Sequence, residues 1–420
     1  MPDSDFSTLS HVSPALTNEK LDKGLTDWFK EETKFTHWEY VSETGKGDSY
    51  LSECIRIRIF GKNREGNTKH IQVILKNIPR SIARQLTFRS ADFFRNEINF
   101  YEQVLPELLK FQSKKNLTEP FDNYAKIFLS HCDGTNDFIC LEDASLENFG
   151  SAVRQEGLDL EHCKLTLKTL AKFHALSFAM KDQAPNEFKE LTGKIFETYY
   201  APHFWSWYER FWKRVCDIAI NAVETEYPNT IYVDKIKEFA VPDRYKEMIR
   251  AVTTTENGVI SHGDSWTNNF LYKYVKNSVV DVKVIDFQLS KYASPVLDTS
   301  FVFCGCTTQE LRDKHYDELL KYYYDVLSKQ ICELGSDASQ IYSWETYLRD
   351  VKEFSFYGLA FSFESTPMIV LAPEDAVSME MKGEEKINID DVWAIGNFKT
   401  KEGRLREANN IVHWVNYGYI

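Results

Sequence analysis

In "ECIRIRIFG", residues 53–61, Ile55, Ile57 and Ile59 alternate with Arg56 and Arg58. A period of two sends the isoleucines to one face and the arginines to the other, the pattern of a strand buried on one side. "WEYVSE" (38–43) precedes it, and "KHIQVILKNI" (69–78) follows the turn-rich "KNREGNT", so a meander of short antiparallel strands is expected. A helix is expected at about 90–110, where Phe93, Ile98, Phe100, Tyr101, Val104 and Leu108 make an apolar face, and "DFICLED" (137–143) reads as a further strand. Beyond it the period is helical, with helices expected at about 161–180, 204–223, 309–334, 344–363 and 402–416. A β-rich first third followed by a helical remainder predicts an α+β chain of two lobes with a cleft between them. The expected division is a flexible tail at 1–25, an N-lobe at 26–141 and a C-lobe at 142–420.

Composition removes several classes of function. The chain has 420 residues, a net charge of −13 and no Lys/Arg cluster that could track a phosphate backbone, which argues against nucleic acid and anionic membrane as partners. No run approaches the ~18 apolar residues of a membrane span, and "MPDSDFSTLSHVSPALTNEK" lacks the basic-then-apolar order of a signal peptide. The eight Cys are scattered without a C-x-x-C pair, which disfavours a zinc site or a disulfide framework. A cytoplasmic protein with reduced thiols is expected.

The densest polar cluster is "ISHGDSWTNNFLY" (260–272), with His262, Asp264, Asn268 and Asn269. Ser261, His262 and Asp264 are too close in sequence to converge as a hydrolase triad, and no G-x-S-x-G elbow occurs. A transition-metal site lacks a third nearby His or Cys. The remaining reading comes from "FLYKYVKNSVVDVKVIDF", two strand-like runs around Asn277 and Ser278. With those two residues as the loop, Phe270 opposes Ile285, Leu271 opposes Val284, and Asn269 sits across from Asp286. An amide oxygen beside a carboxylate is a hard-oxygen site suited to Mg²⁺. The spacing H-x-D-x-x-x-x-N followed by D-F is that of a kinase catalytic loop and its metal-binding Asp.

Asp, Asn and Ser clusters mostly make turns, a strand-end Lys is mostly solvated, and a helix Glu is mostly exposed. Order along the chain is what weighs against those readings. Lys76 ends "VILK" on the third expected strand, where a kinase lysine reaches phosphates, and Glu97 in "FFRNEINFY" could pair with it. Gly45 and Gly47 in "TGKGDSYLS" could bring backbone N–H groups onto phosphates, although Tyr50 stands where a third glycine would.

"ILKNIPRS", "FRNEINFY", "LEDAS", "LAKFHALSFA", "HGDSWTNN" and "IDFQLSKYASPVLD" together resemble the ecdysteroid kinase-like (CHK-type) family, a relative of choline and aminoglycoside kinases. The resemblance spans about 40–370. It implies a two-lobed, protein-kinase-like fold and ATP-dependent phosphorylation of a hydroxyl on a small molecule. By the same resemblance Asp264 is the catalytic Asp, Asn269 and Asp286 are the Mg²⁺ ligands, Lys76 holds the phosphates and Glu97 is its partner. Gly45, Gly47, Asp48 and Ser49 match the phosphate loop, and the backbone around Glu142 and Asp143 the adenine hinge. His262 and Asp298 match structural positions that brace the catalytic loop.

An ordinary Asp pKa of about 3.9 would make Asp264 a poor base at neutral pH, so orientation of the acceptor hydroxyl is its expected role. Aromatic residues crowd 196–212; Phe204, Tyr208, Phe211, Trp212 and Val215 fall on one helical face, which leaves Trp205 and Trp207, with Trp266 of the catalytic loop, as candidates for the acceptor site. A second aromatic set runs from Phe354 to Phe363. Such walls suit a bulky apolar alcohol, an ecdysteroid or other steroid-like or xenobiotic compound; a choline- or aminoglycoside-like cation is the alternative, and a non-catalytic ATP- or ligand-binding pseudokinase a second. A protein kinase is disfavoured. Gly263 and Gln288 replace the Arg of H-R-D and the Gly of D-F-G, and eleven residues between Asp286 and Asp298 leave little room for an activation loop.

Overall fold

The computed structural model describes residues 9–43, 52–371, 381 and 383–420. Strands β1 (Thr33–Glu43), β2 (Glu53–Asn63), β3 (Thr68–Asn77), β4 (Ile127–His131) and β5 (Phe138–Glu142) form one antiparallel sheet in the order β1-β2-β3-β5-β4. The period-two pattern of β2 is realised as direct cross-strand pairs: Ile55 faces Leu75, Ile57 faces Val73 and Ile59 faces Ile71. All six are buried, as branched side chains packed across a pleat should be. The opposite face carries Arg56, Arg58, Gln72, Ile74 and Lys76, and it is this face that turns to the cleft.

The apolar face is covered by residues 9–29, which corrects the expectation of a flexible tail for the described part, 9–25, of residues 1–25. Helix α1 (Asn18–Phe29) is capped by Thr17, whose Oγ1 accepts the Lys20 N–H at 3.3 Å. Its Leu21 and Leu25, one turn apart, pack with Leu9, Val12 and Leu16 onto the β2–β3 isoleucines and valine. Without this cover the sheet would expose a continuous row of branched side chains. Apolar residues spaced as thinly as those of "LSHVSPALTNEKLDKGL" carry little periodic signal, which is why the segment reads as a tail.

Helix α2 (Ser90–Asn99) continues through a π-helical turn, Phe100–Val104, into a helix at Leu105–Ser113, so the single helix expected at about 90–110 is present with a wide turn inside it. That turn places Phe100 flat on Phe287, with ring centroids 3.9 Å apart. Beyond β5 come β6 (Phe149–Ser151) and α3 (Leu160–Gln183), whose residues 169–180 are buried on every face. Helix α4 (Trp205–Glu226) follows, then β7 (Val259–Ser261), the hairpin β8 (Phe270–Val275) and β9 (Ser278–Val284), and β10 (Lys291–Ala293). Helices α5 (Val296–Phe301), α6 (Gln309–Glu333), α7 (Phe356–Val370) and α8 (Lys401–Asn416) complete the helical part. The helix expected at 344–363 is two helices, Trp344–Phe354 and α7, joined at Ser355. Strands β6, β8 and β9 make one small sheet, and β7 pairs with β10. The architecture is α+β, an antiparallel sheet followed by a mainly helical part.

The hairpin register differs from the expected one. Phe270 opposes Val284, Leu271 opposes Lys283 and Lys273 opposes Asp281; then the pairing jumps, and Tyr274 opposes Val279. Val280 is thus the extra residue of a β-bulge, and the two-residue turn falls at Lys276 and Asn277, with Lys276 at φ 53°. Asn269 therefore opposes Ile285, whose N–H donates to the Asn269 carbonyl at 3.0 Å, and not Asp286.

Candidate active site

The loop after β7 is fixed from below. Asp298, near the start of α5, accepts the backbone N–H of His262 at 2.7 Å and of Gly263 at 2.8 Å, and the Nε2–H of His174 at 2.9 Å. Burial works against its charge, but these donors hold its pKa below the usual carboxylate range. His262 Nε2 donates to the Ile285 carbonyl at 2.9 Å, while its Nδ1 accepts the Asp264 N–H at 3.2 Å. Burial lowers its pKa, so it sits neutral as a brace between the loop and the strand that delivers Asp286. Gly263 has φ +84°, and a Cβ there would lie 2.0 Å from the Leu289 carbonyl oxygen. Only glycine allows the two segments to approach this closely.

Asp264 projects from this loop. Asn269 Nδ2 donates both to its carbonyl and to its Oδ2, at 2.9 Å each. Burial first, and then the charge of Asp286, push the Asp264 carboxyl up to about 7 against the opposing effects of Asn269, Lys291 and Lys76. The ordinary pKa assumed from sequence is thereby corrected: partial burial beside the Asp286 charge raises the group towards neutrality, where a carboxylate is a better proton acceptor than an ordinary Asp.

Lys76 reaches across the cleft from β3. Its Nζ donates to Glu97 Oε2 at 2.7 Å, to Asp286 Oδ1 at 2.9 Å and to Gln288 Oε1 at 3.4 Å. Burial would lower its pKa, but the two carboxylates outweigh that and hold the ammonium firmly protonated. Glu97 is buried within α2, and burial, aided by Asp286 and opposed by Lys76, shifts its carboxyl upward. Asn96, its neighbour, donates to the Gln288 and Ser290 carbonyls at 3.0 and 2.8 Å. Helix α2 is thus latched directly to the segment that carries Asp286, itself held at φ 67°, a left-handed conformation that Asp tolerates better than most residues.

Two cavities flank this network. A cleft of about 350 Å³ between the lobes is lined by Ile74, Lys76, Leu141, Phe149, Leu271 and Ile285 among others, with Asn269 and Asp286 at its inner end. A narrower pocket of about 110 Å³ lies on the other side, where Asp264 and Trp266 meet Phe93, Phe301, Phe361 and Trp393. Asn269 and Asp286 line both cavities; Asp264 lines only the second.

Most of the expected site residues are brought together here. Glu142 and Asp143 line the cleft, yet their amides are already engaged, with the Lys126 carbonyl at 2.8 Å and the Gln72 carbonyl at 3.2 Å. Their side chains are engaged too, Glu142 with Lys283 at 2.5 Å and Asp143 with Arg56 at 2.6 Å. The neighbouring Ala144 also lines the cleft, and its N–H has no partner among the described residues. Gly45, Gly47, Asp48 and Ser49 lie outside the described residues. Trp205 and Trp207 do not line the pocket, a correction to their candidacy. Trp205 packs on Tyr245 with ring centroids 4.7 Å apart, and Trp207 donates to the Thr87 carbonyl at 2.8 Å. Both are wedged between helices by neighbours that the helical face of α4 alone does not reveal. Sequence reasoning missed Tyr199, Gln288 and Glu364 as lining residues. For Glu364 a signal existed: it is the lone charge in "FYGLAFSFESTPMIV".

The donor set fits Mg²⁺. With Nδ2 committed to Asp264, the Asn269 Oδ1 is without a hydrogen bond among the described residues, and so is Asp286 Oδ2. Hard oxygens bordering a cavity that also holds a lysine match the chemistry of a phosphate-bound magnesium.

A comparison with protein families matches residues 46–336, more than half of the chain, to the ecdysteroid kinase-like family. The chain belongs to that family. No curated protein sequence matches it. Among solved structures, a Plasmodium vivax ethanolamine kinase is similar at 12% identity, covering 91% of this chain and 84% of the other, with a TM-score of 0.41. A GDP complex of aminoglycoside 2'-phosphotransferase-IIIa is similar at 14% identity, covering 82% and 90%, with a TM-score of 0.35. In this ecdysteroid kinase-like chain Phe287, the residue after Asp286, is buried against Phe100, Phe173 and His262, which ties the sheet-side helix and the catalytic loop into one packed column.

Proposed function

We propose that the protein is an ATP-dependent small-molecule kinase that phosphorylates a hydroxyl of a bulky apolar alcohol, of which an ecdysteroid or other steroid-like compound is the favoured class. One observation carries this reading: a nucleotide-sized cleft with charged groups at its inner end and an aromatic pocket meet at the same two side chains, Asn269 and Asp286, with Asp264 on the pocket side only. A donor phosphate and an acceptor hydroxyl entering from opposite cavities would meet there.

In this reading residues up to 141 clamp the nucleotide and residues 142–420 hold the loop and the acceptor. The nucleobase lies between Ile74 and Leu141 above and Phe149, Leu271 and Ile285 below, and Ala144 offers the free hinge N–H in place of the amides of Glu142 and Asp143. Lys76, kept charged by its carboxylate partners, turns from Asp286 to the phosphates while Glu97 holds its stem end. Asn269 and Asp286 would hold Mg²⁺, which would neutralise charge on the phosphates. Asp264 accepts the hydrogen bond of the acceptor hydroxyl, orients it, and takes its proton as the new P–O bond forms and the bond from the γ-phosphorus to the bridging oxygen breaks, releasing ADP into the cleft; Asn269, donating to Oδ2, leaves Oδ1 for that task.

The test is transfer of isotopic γ-phosphate from ATP to an extracted small molecule, run against a steroid panel, a choline and aminoglycoside panel and a generic peptide. Label on a neutral apolar alcohol is expected. Label confined to cationic acceptors would move the substrate class, and nucleotide binding without transfer to any acceptor would leave a pseudokinase.

A further inference from the structure

The aromatic pocket contains a second carboxyl that phosphoryl transfer does not use. Glu364, in the middle of α7, is 6% exposed and lines the pocket together with Asp264. Its Oε2 accepts the hydroxyls of Tyr199 at 2.8 Å and Tyr208 at 2.9 Å, both donors converging on one oxygen. Oε1 has no hydrogen-bond partner among the described residues. A carboxyl among aromatic rings is costly unless its polar atoms are paired. A purely structural role, tying α7 to α4 and to the 199 segment, accounts for Oε2 and leaves Oε1 unexplained.

The geometry points to Glu364 Oε1 as the specificity contact of the pocket: it meets a second oxygen function, a hydroxyl or a carbonyl, on an otherwise apolar acceptor whose reacting hydroxyl lies at Asp264. This rests on the pocket being the acceptor site. Two tyrosine hydroxyls donating to Oε2 leave Oε1 as the oxygen that carries the proton when the acid is neutral, and burial pushes Glu364 up to about 8, with the tyrosine hydrogen bonds opposing and Asp264 adding to the rise. A neutral carboxyl donates to an oxygen; it offers an ammonium no countercharge. Lys291 opposes that rise, but its ammonium is already paired with Glu197 at 2.8 Å. The acceptor is accordingly a neutral polyoxygenated skeleton, for example a steroid diol or hydroxyketone, in preference to a steroid mono-ol or an amino alcohol.

The experiment measures binding without nucleotide, by quenching of tryptophan emission from Trp266 and Trp393, for the full chain and its E364Q and E364L variants. The probes share one steroid skeleton: a monohydroxy steroid, dihydroxy counterparts with the second hydroxyl on different rings, and an amino-hydroxy counterpart. At least one diol is expected to bind wild type about tenfold more tightly than the mono-ol, the worth of one buried hydrogen bond. E364Q, which can still donate, should keep that advantage, and E364L should lose it. Equal affinity of mono-ol and every diol for wild type would overturn the proposal, as would an advantage that survives in E364L, a preference for the amino alcohol that E364Q abolishes, or binding of none of the probes. Melting curves and Mg·ATP affinity report whether each variant folds, and the wild-type and E364Q comparisons decide the matter even if E364L does not. Diol binding through Glu364 with no phosphate transferred would sink the kinase reading alone; phosphate transferred by E364L with the same preference for diol over mono-ol as wild type would sink this inference alone.

Discussion

The two cavities that meet at Asn269 and Asp286 are assembled in different ways. The cleft takes most of its chemistry from adjacent strands of one sheet and one hairpin, so its charged groups are set by registers: Lys76 opposite Cys54 and Ile139, Asp286 two residues beyond the end of β9. The pocket draws on α2, the 199 segment, the catalytic loop, the segment at 286–289, α5, α7 and Trp393, seven places along the sequence. A cavity built from strand registers is constrained by its backbone; one built from helix faces can be reshaped residue by residue without moving the sheet. Nucleotide chemistry would thus be the fixed half of the molecule and acceptor choice the variable half.

If that contrast holds, the largest effect belongs to the residue at the junction. Asp264→Asn should lower kcat by about 10²–10⁴-fold, the usual worth of a positioned proton acceptor, while leaving Mg·ATP affinity and acceptor binding near wild type. Steady-state rates and separate titrations check this; a variant as active as wild type removes Asp264 from the chemistry.

Next comes the cleft. Lys76→Met strands Glu97, 1% exposed, and should cost about 3–5 kcal/mol in stability, as well as weakening Mg·ATP. Denaturant unfolding of K76M against the double variant K76M/E97L separates the two effects: the double variant should recover part of the stability and none of the nucleotide affinity. Acceptor binding should be spared in both, and if it falls in step the two cavities are not independent.

The same contrast explains what could be read from the sequence. The sheet was legible because β2 alternates with period two, and the gathering of Lys76, Glu97, Asp264, Asn269 and Asp286 was legible because their order and spacing match a kinase pattern. The hairpin register was off by one residue at the site: the turn falls one residue earlier than expected, and the bulge at Val280, which leaves no mark in a run of valines, undoes half of the resulting shift. The cover given by Leu9 to Leu25 was missed because tertiary burial, and not local periodicity, folds it. Pocket residues were the least legible. Trp205 and Trp207 face neighbours that only the packing of helices reveals, while Glu364, the one charge in an apolar helix, would have been found by asking why a buried helix keeps a carboxyl.

Within the pocket, Trp266→Leu should weaken acceptor binding roughly tenfold through lost ring area, with Mg·ATP affinity unchanged by direct titration. A smaller effect concerns pH. Glu364 titrates near 4.5 unfolded and at about 8 folded, so between those values the folded chain keeps a proton that the unfolded chain has lost. The stability this gives is complete below 4.5 and disappears as pH rises through about 8, a slope of about 1 kcal/mol per pH unit. Glu407, also pushed up to about 8 by burial, adds a slope of the same sign that persists in both proteins. Denaturant unfolding of wild type and E364Q from pH 5 to 8, without ligands, should show the flatter dependence in E364Q; parallel curves would place Glu364 in water.

The smallest expected effect is the sharpest control. Trp207 stands near the pocket in sequence terms, only eight residues after Tyr199, yet its indole N–H is spent on the Thr87 carbonyl and its ring sits 5.0 Å from the Arg89 guanidinium. Trp207→Phe keeps most of the ring contact and removes one hydrogen bond, so stability should fall by about 1 kcal/mol. Acceptor affinity and kcat should both stay within about twofold, because no atom of Trp207 borders the cavity. Measured beside Trp266→Leu, this variant asks whether aromatic residues act here by position or by mere abundance. Equal losses of acceptor affinity in the two would mean that the pocket extends under α4, and that the acceptor enters along a different face from the one Asp264 and Glu364 define.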